Sequence, residues 1–345
     1  MKLELTPQEE KAVSAQVSAF LDNTLALEAD FRRCGRSVDL NEWKSLRTID
    51  DFHIFRQHEA KNGTGLPQVL VAGTLEGELE DFMYGVYDGD EFSWRLRSAY
   101  INDRFADEKL LATLASPTHE DPFRFLGIKW LATESPVSMG NGIQKRDNLL
   151  VEAIGMATDK HGEPYGYYIM DDFAHPSVPP RPDLGIIRFK FSVCCVVRQF
   201  SPDRVCVYVR SDVNFGGNMP VEMNMFIASH SLTSLAGTIE TSYNKKLAWL
   251  IARQQPKSHE ADETVSECYT CKRKQLEDLG RNLVACPVCR HSFCSMCLVE
   301  RKLVVDLTAR NPTLTVLPFC FACVLEAKQL SPMDVARPQR RMSIP

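Results

Sequence analysis

The residues with the clearest chemistry in this 345-residue chain are its thiols, and they are unevenly placed. Eight of the 12 cysteines fall in four CxxC pairs: Cys268/Cys271, Cys286/Cys289, Cys294/Cys297 and Cys320/Cys323. Two thiolates separated by two residues can curl onto one ion, and four thiolates complete a closed tetrahedral site. Four pairs therefore predict two structural Zn2+ ions, with Cys268, Cys271, Cys286, Cys289, Cys294, Cys297, Cys320 and Cys323 as ligands. A closed site leaves no position for substrate or water, so the metal is expected to stabilise a fold rather than to catalyse. The other four cysteines (Cys34, Cys194, Cys195, Cys206) are scattered. The first residues, MKLELTPQEEKAV, form no apolar signal segment, and no run approaches the ~18–20 apolar residues of a membrane span. A cytoplasmic, thiol-reducing setting is expected, in which clustered cysteines bind metal rather than form disulfides.

Other chemistry is sparse. The sequence carries no GxSxG, Walker loop, GxGxxG or HExxH pattern. Cys194-Cys195 stand inside a predicted strand and read as packing residues. His161 and His175 fall in loops without a visible acid or nucleophile. Asp171-Asp172 ends a predicted strand and could form a carboxylate pair. The chain is therefore expected to be non-enzymatic.

Charge divides the chain into an acidic body and a basic end. From Cys268 onwards there are 12 Lys/Arg against 6 Asp/Glu, whereas the whole chain has a net charge of −5. That basicity invites a nucleic-acid reading, but eight thiolates and two Zn2+ ions remove four positive charges from the cysteine region. The loaded module is close to neutral, and no nucleic-acid partner is expected.

The elements that must position these residues follow from periodicity. Thr6-Pro7-Gln8-Glu9 has the form of a capping box with proline in the first turn. Val13, Val17, Phe20, Leu21, Leu25 and Leu27 continue it at helical spacing. Strands are predicted at 52–58, 69–74, 125–133, 148–157, 166–170, 186–200 and 205–211, with helices near 79–87 and 104–115. In the long strand, Ile187, Phe189, Phe191, Val193, Cys195 and Val197 alternate with Arg188, Lys190, Ser192, Cys194 and Arg198. Such alternation predicts an antiparallel sheet with one buried and one wetter face. An amphipathic helix is predicted at 231–253. Its stripe is Leu232, Leu235, Ile239, Tyr243, Leu247 and Leu250, and Thr241, Asn244 and Lys245 occupy the opposite, polar face. Residues 254–267 (QQPKSHEADETVSE) read as a linker, and 328–345 as a loose basic tail.

Two resemblances follow from these patterns. The four-pair array over 268–327 resembles a FYVE-type zinc finger. In that family the pairs interleave, which implies Cys268, Cys271, Cys294 and Cys297 around one ion and Cys286, Cys289, Cys320 and Cys323 around the second. The string Cys289-x-His291-x2-Cys294-x2-Cys297 is also RING-like, and that alignment would substitute His291 for Cys286 and imply a ubiquitin ligase. The basic run that phosphoinositide-binding FYVE domains carry is replaced by Asn282-Leu283-Val284-Ala285, and Pro318-Phe319 stand where their late arginine motif belongs. Lys272, Arg273, Lys274, Arg301 and Lys302 remain as cations for an acidic surface or as a solvated face.

The element order of residues 1–253 resembles a START-like domain. This implies an α+β helix-grip fold: an antiparallel sheet around a long C-terminal helix, followed by a small two-zinc cross-brace finger. The stretches 147–170 (DNLLVEAIGMATDKHGEPYGYYIM) and 319–332 (FCFACVLEAKQLSP) look like a group of oomycete proteins that join a START-like domain to a FYVE-type finger. The resemblance implies a lipid in a cavity lined by Phe189, Phe191, Val193, Cys195, Leu235, Ile239 and Tyr243. It also implies a finger that contacts a peripheral endosomal membrane or a protein partner. The other reading of the same pattern is an interaction scaffold with a filled core.

Overall fold

The computed structural model describes residues 2–60, 66–101, 105–133, 144–253, 267–273, 283–307 and 312–337. The proposed linker lies outside these residues apart from Glu267, as do Lys274, Asn282 and residues 338–345 of the tail. Helix α1 spans Pro7–Arg33 and opens on a complete capping box: the Thr6 hydroxyl accepts from the Glu9 N–H, and the Glu9 carboxylate accepts from the Thr6 N–H. Strands β1 (Trp43–Ile49), β2 (Phe52–Gln57) and β3 (Val69–Glu76) follow, then helices α2 (Leu79–Val86) and α3 (Glu91–Ile101). Next come β4 (Phe105–Ala115), β5 (Phe125–Thr133), β6 (Arg146–Thr158), β7 (Pro164–Asp172), the short β8 (Ile187–Arg188), β9 (Lys190–Ser201) and β10 (Arg204–Asn214). Helices α4 (Val221–Leu232) and α5 (Thr238–Arg253) complete the large unit.

The strands form one sheet in the order β1-β2-β3-β10-β9-β7-β6-β5-β4, antiparallel throughout, with β8 adding a short parallel pairing to β6. Both faces are covered. On the inner face, α2, α4 and the start of α5 bring Phe82, Met83, Met225, Leu232, Leu235 and Ile239 against Val193, Cys195, Val197 and Val207. On the outer face, α1 packs Val13 and Val17 against Ile128, Val151, Ile169 and Cys194. Arg198, predicted to face water, is buried and ion-pairs with Glu28 of α1 at 3.3 Å. The alternation in β9 thus separates two covered faces, because a long helix closes the one that carries the polar residues.

Within the helix expected near 104–115, residues 105–115 depart from expectation. Their Ala, Leu, Glu and Lys content suggested a helix, but 105–115 pair with β5 as an edge strand with three register shifts. Ladder pairing and burial of Leu111 override local propensity, as tertiary context commonly does. Exposed side chains such as Lys109 suit a free edge. The helix expected at 231–253 is also broken. The inner face is covered first by α4, and a 3-10 turn at Thr233–Gly237 then redirects the chain into α5. Thr241, Asn244 and Lys245, expected on a polar solvent face, are all buried.

The remaining elements are small. Strand β11 (Val284–Ala285) pairs with β12 (Ser292–Phe293), and β13 (Leu298–Val304) pairs with β14 (Leu314–Cys320). Helices α6 (Phe321–Gln329) and α7 (Pro332–Ala336) end the described chain. These elements do not sit apart from the large unit: Leu247 and Leu250 of α5 share one apolar cluster with Cys268, Cys286, Phe293, Leu303, Phe319, Val324 and Ala327. No helix among the described residues is long and apolar enough to cross a membrane.

Candidate metal centres and a buried charge cluster

The first two cysteine pairs sit in matching turns. In one, the Lys272 N–H donates to the Cys268 carbonyl at 2.9 Å and the Cys268 N–H donates to Arg273 at 2.8 Å. In the other, the Arg290 N–H donates to the Cys286 carbonyl at 2.9 Å and the Cys286 N–H donates to His291 at 3.0 Å. Each turn closes on a non-glycine residue in the left-handed region, Lys272 at φ 55° and Arg290 at φ 65°. That conformation costs on the order of 1 kcal/mol and is tolerated where the turn aims two thiols at one point. The third pair spans a 3-10 turn at Ser295–Cys297. In the fourth, Cys320 is the N-cap of α6 and Cys323 lies in its first turn.

These four local structures meet crosswise. Cys268, Cys271, Cys294 and Cys297 form one tetrad, and Cys286, Cys289, Cys320 and Cys323 the other, with the thiol sulfurs of each within 4.8 Å of one another. Cys271 Sγ lies 3.6 Å from Cys294 Sγ, and Cys289 Sγ lies 3.8 Å from Cys320 Sγ. A tetrahedral ion with Zn–S bonds of ~2.3 Å requires sulfurs about 3.8 Å apart, so the donor set and its spacing fit a thiophilic metal. Desolvation works against ionising Cys268, but the N–H groups of Cys271, Cys294 and Thr270 outweigh it and bring that thiol down to about 6. Cys297 in the same tetrad is pushed up to about 12 by desolvation and by hydrogen bonds that its thiol donates to the neighbouring sulfurs. Without a cation, one thiolate suppresses ionisation of the next; a divalent ion relieves that repulsion.

His291 lies outside both tetrads. Its ring stacks on Tyr269 with centroids 4.0 Å apart and planes 4° apart, and Cys286 occupies the position that the RING-like alignment gave to His291. Of the expected cations, Lys272 lies over the Tyr269 ring and Arg301 pairs with Glu240 of α5 at 3.3 Å. Val284 and Ala285 are exposed on β11.

The expected cavity lining divides into three parts. Val193, Cys195, Leu235 and Ile239 belong to the inner-face cluster. Phe189 joins Trp94, Leu131 and Leu150 in a neighbouring cluster, with Phe191 bridging the two. Tyr243 lies at the margin, beneath the ammonium groups of Lys246 and Lys328.

Between these apolar groups lies a charge cluster that the sequence reading did not single out. Lys129 of β5 is fully buried, with Nζ 2.8 Å from Asp88 Oδ1 and 2.6 Å from Glu152 Oε1 of β6. Arg97 of α3 adds a second cation 3.2 Å from Asp88 and covers the Tyr168 ring. Burial opposes ionisation of Asp88, but Lys129, a hydrogen bond from Glu152 and Arg97 overcome it and hold the carboxyl far below its usual range. Burial and the Asp88 charge push Glu152 well up. Asp88 is thereby driven towards the anion and Glu152 towards the protonated acid. A signal was present in the sequence: single charged residues interrupt otherwise apolar strands in FLGIKWLAT and LLVEAIG. Buried charges of this kind are retained only with partners.

No protein-family model matches the chain, and no curated protein sequence matches it. Among solved structures, human StAR-related lipid transfer protein 5 is similar with 15% identity and a TM-score of 0.46, over 66% of this chain and 95% of that one. Human STARD10 is similar with 13% identity and a TM-score of 0.43, over 66% and 88%. A StAR-related lipid transfer protein from Xanthomonas axonopodis is similar with 14% identity and a TM-score of 0.41, over 58% and 99%.

Proposed function

We propose that this chain is a non-enzymatic binding protein in which a START-like domain (residues 1–253) holds a lipid or similar amphiphile. In this reading the finger at 268–327 is of divergent FYVE type, carries two Zn2+ ions, and contacts an endomembrane or a protein. The observation that carries the ligand half is the inner face of the sheet. There an apolar wall from Phe191 to Val197 and Ile239 adjoins the buried Asp88–Lys129–Glu152 cluster. Apolar surface with a few fixed polar groups is the usual character of a small-molecule site. The zinc half rests on the all-sulfur tetrads and their spacing.

Native mass spectrometry of the purified full chain tests both halves. Two zinc ions and a co-purifying lipid are the expected masses. A protein that carries zinc but takes up no lipid from mixed vesicles is instead the interaction scaffold with a filled core. That second reading is favoured by one observation, the uncharged Leu283-Val284-Ala285 before the second pair, which supplies no donor for a phosphate. Flotation with phosphatidylinositol 3-phosphate vesicles separates the two modes of finger contact. Selective binding there would overturn the protein-contact mode.

A further inference from the structure

The chain returns to the large unit after the finger, and the return path begins at the second cysteine tetrad. Cys320 caps α6 and Cys323 stands in its first turn, so an ion held by this tetrad would also set the position and direction of α6. Val324 and Ala327 of α6 pack on Leu247 and Leu250 of α5. At the far end of α6, the carbonyl of Lys328 receives Lys246 Nζ at 3.5 Å. Lys246 is fully buried, and its ammonium also pairs with Asp81 of α2 at 2.6 Å; the Ser242 hydroxyl donates to the same carboxylate oxygen. One lysine thus joins α5, the end of α6 and the first turn of α2.

Beyond α6, Ser331 turns the chain into α7, whose Pro332 and Val335 are buried. Met333 and Ala336 pack against the inner-face cluster that contains Leu79, Phe82, Met83 and Val86 of α2. The C-terminal end of α2 is tied separately to the preceding residue of α5. Lys245 Nζ donates to the carbonyls of Tyr84 at 2.9 Å and Tyr87 at 3.1 Å. Two residues after α2 comes Asp88, the anion of the buried charge cluster.

We propose that α6 and α7 form a metal-dependent strap: metal in the second tetrad holds α7 over α2, and loss of that metal releases α2 locally while the sheet stays folded. The physical basis is the difference in what secures each part. Helix α2 is eight residues long, too short to persist without tertiary contacts; α5 and the inner face of the sheet supply part of these, and the strap adds to them through α7. Strands β9 and β10 lie mid-sheet, each paired on both sides, and depend on the finger for none of their ladder bonds. A short helix that depends on packing from several neighbours opens at lower free energy than a central sheet paired on both sides. The inference rests on the metal reading of the tetrads but not on whether a lipid is held.

Hydrogen exchange of the full chain, followed by mass spectrometry, tests it. The zinc-loaded protein is compared with the same protein after chelation, with metal content measured in each sample. Removal of metal is expected to speed exchange of amides in 79–86 by about tenfold or more, with 193–197 and 205–209 unchanged. Met333→Asp should speed the same α2 amides while both zinc ions remain bound, which keeps the test independent of finger unfolding. Unaltered α2 exchange after chelation overturns the proposal, as does loss of protection in β9 and β10 together with α2, since the finger would then be a requirement for the whole fold. A Met333→Asp protein with wild-type α2 exchange overturns it as well. A chain that binds no zinc when supplied with it removes the metal reading and the strap together.

Discussion

Single residues distinguish the two alignments of the cysteine region. Cys286 stands in the second tetrad, whereas His291 uses its ring to stack on Tyr269 and its carbonyl to accept from the Cys286 N–H. Cys286→Ser is therefore expected to lower the zinc count from two to one, and His291→Ala to leave it at two, as read by native mass spectrometry. The opposite pattern would restore the RING-like reading. Asp172 offers a test of a different kind. Burial raises this carboxyl to about 6 against hydrogen bonds from the Phe191 N–H and Asn148. Its native pKa lies above the unfolded value of ~3.9, so the native state binds the proton more tightly. Its contribution to stability is complete below about pH 4 and is lost as pH rises to about 6. The amide in Asp172→Asn cannot ionise, so the variant should gain stability relative to wild type between pH 4 and pH 6 and hold that gain at pH 7. Urea unfolding at pH 5 and pH 7 checks this, and a difference that does not change with pH would contradict it.

At the scale of elements, legibility followed range. Helix α1 with its capping box, α2, and the strands β2, β3, β5, β6, β7, β9 and β10 were all marked by patterns within one segment. Two of the departures have one cause. Residues 105–115 have helix-forming composition but find a strand partner in β5, and the polar residues of α5 find a covering layer that their own segment does not announce. Thr241, Asn244, Lys245 and Lys246 look like a solvated stripe on a helical wheel. They are buried because α2 lies on one side of α5 and α6 and β13 on the other. Lys245 and Lys246 keep their polar heads satisfied by carbonyls and by Asp81, which is how a buried ammonium is retained.

At the scale of the whole molecule, the boundary expected near 253 runs through a shared core. Leu247, Leu250 and the partly buried Trp249 and Ile251 meet Val324, Leu303 and Phe319. The Val304 N–H also reaches the Tyr100 hydroxyl of α3. A protein truncated after Arg253 would expose this apolar side of α5 and leave Lys246 without its Lys328 partner. Such a truncation is expected to self-associate or to unfold at lower urea than the full chain, whereas two independent domains would leave its unfolding midpoint unchanged. Size-exclusion chromatography and urea titration distinguish these outcomes. The same shared core would make any metal held by the tetrads a matter for the large unit as well.

The eight thiols that gather into tetrads were evident as CxxC pairs from the sequence alone, because a CxxC pair is a local device: two residues of spacer and one turn bring its sulfurs together. The helical stripe of α1 and the alternation of β9 were legible for the same reason, since each repeats within its own segment. Tertiary structure decided which pairs share a tetrad, where Lys129 finds Asp88 and Glu152, and that Lys246 is buried between Asp81 and the end of α6. Those outcomes depend on surfaces that meet only after residues far apart in the chain have packed. A buried charge is written in the sequence as an ordinary lysine or glutamate, and only the neighbours that remove its water give it a role.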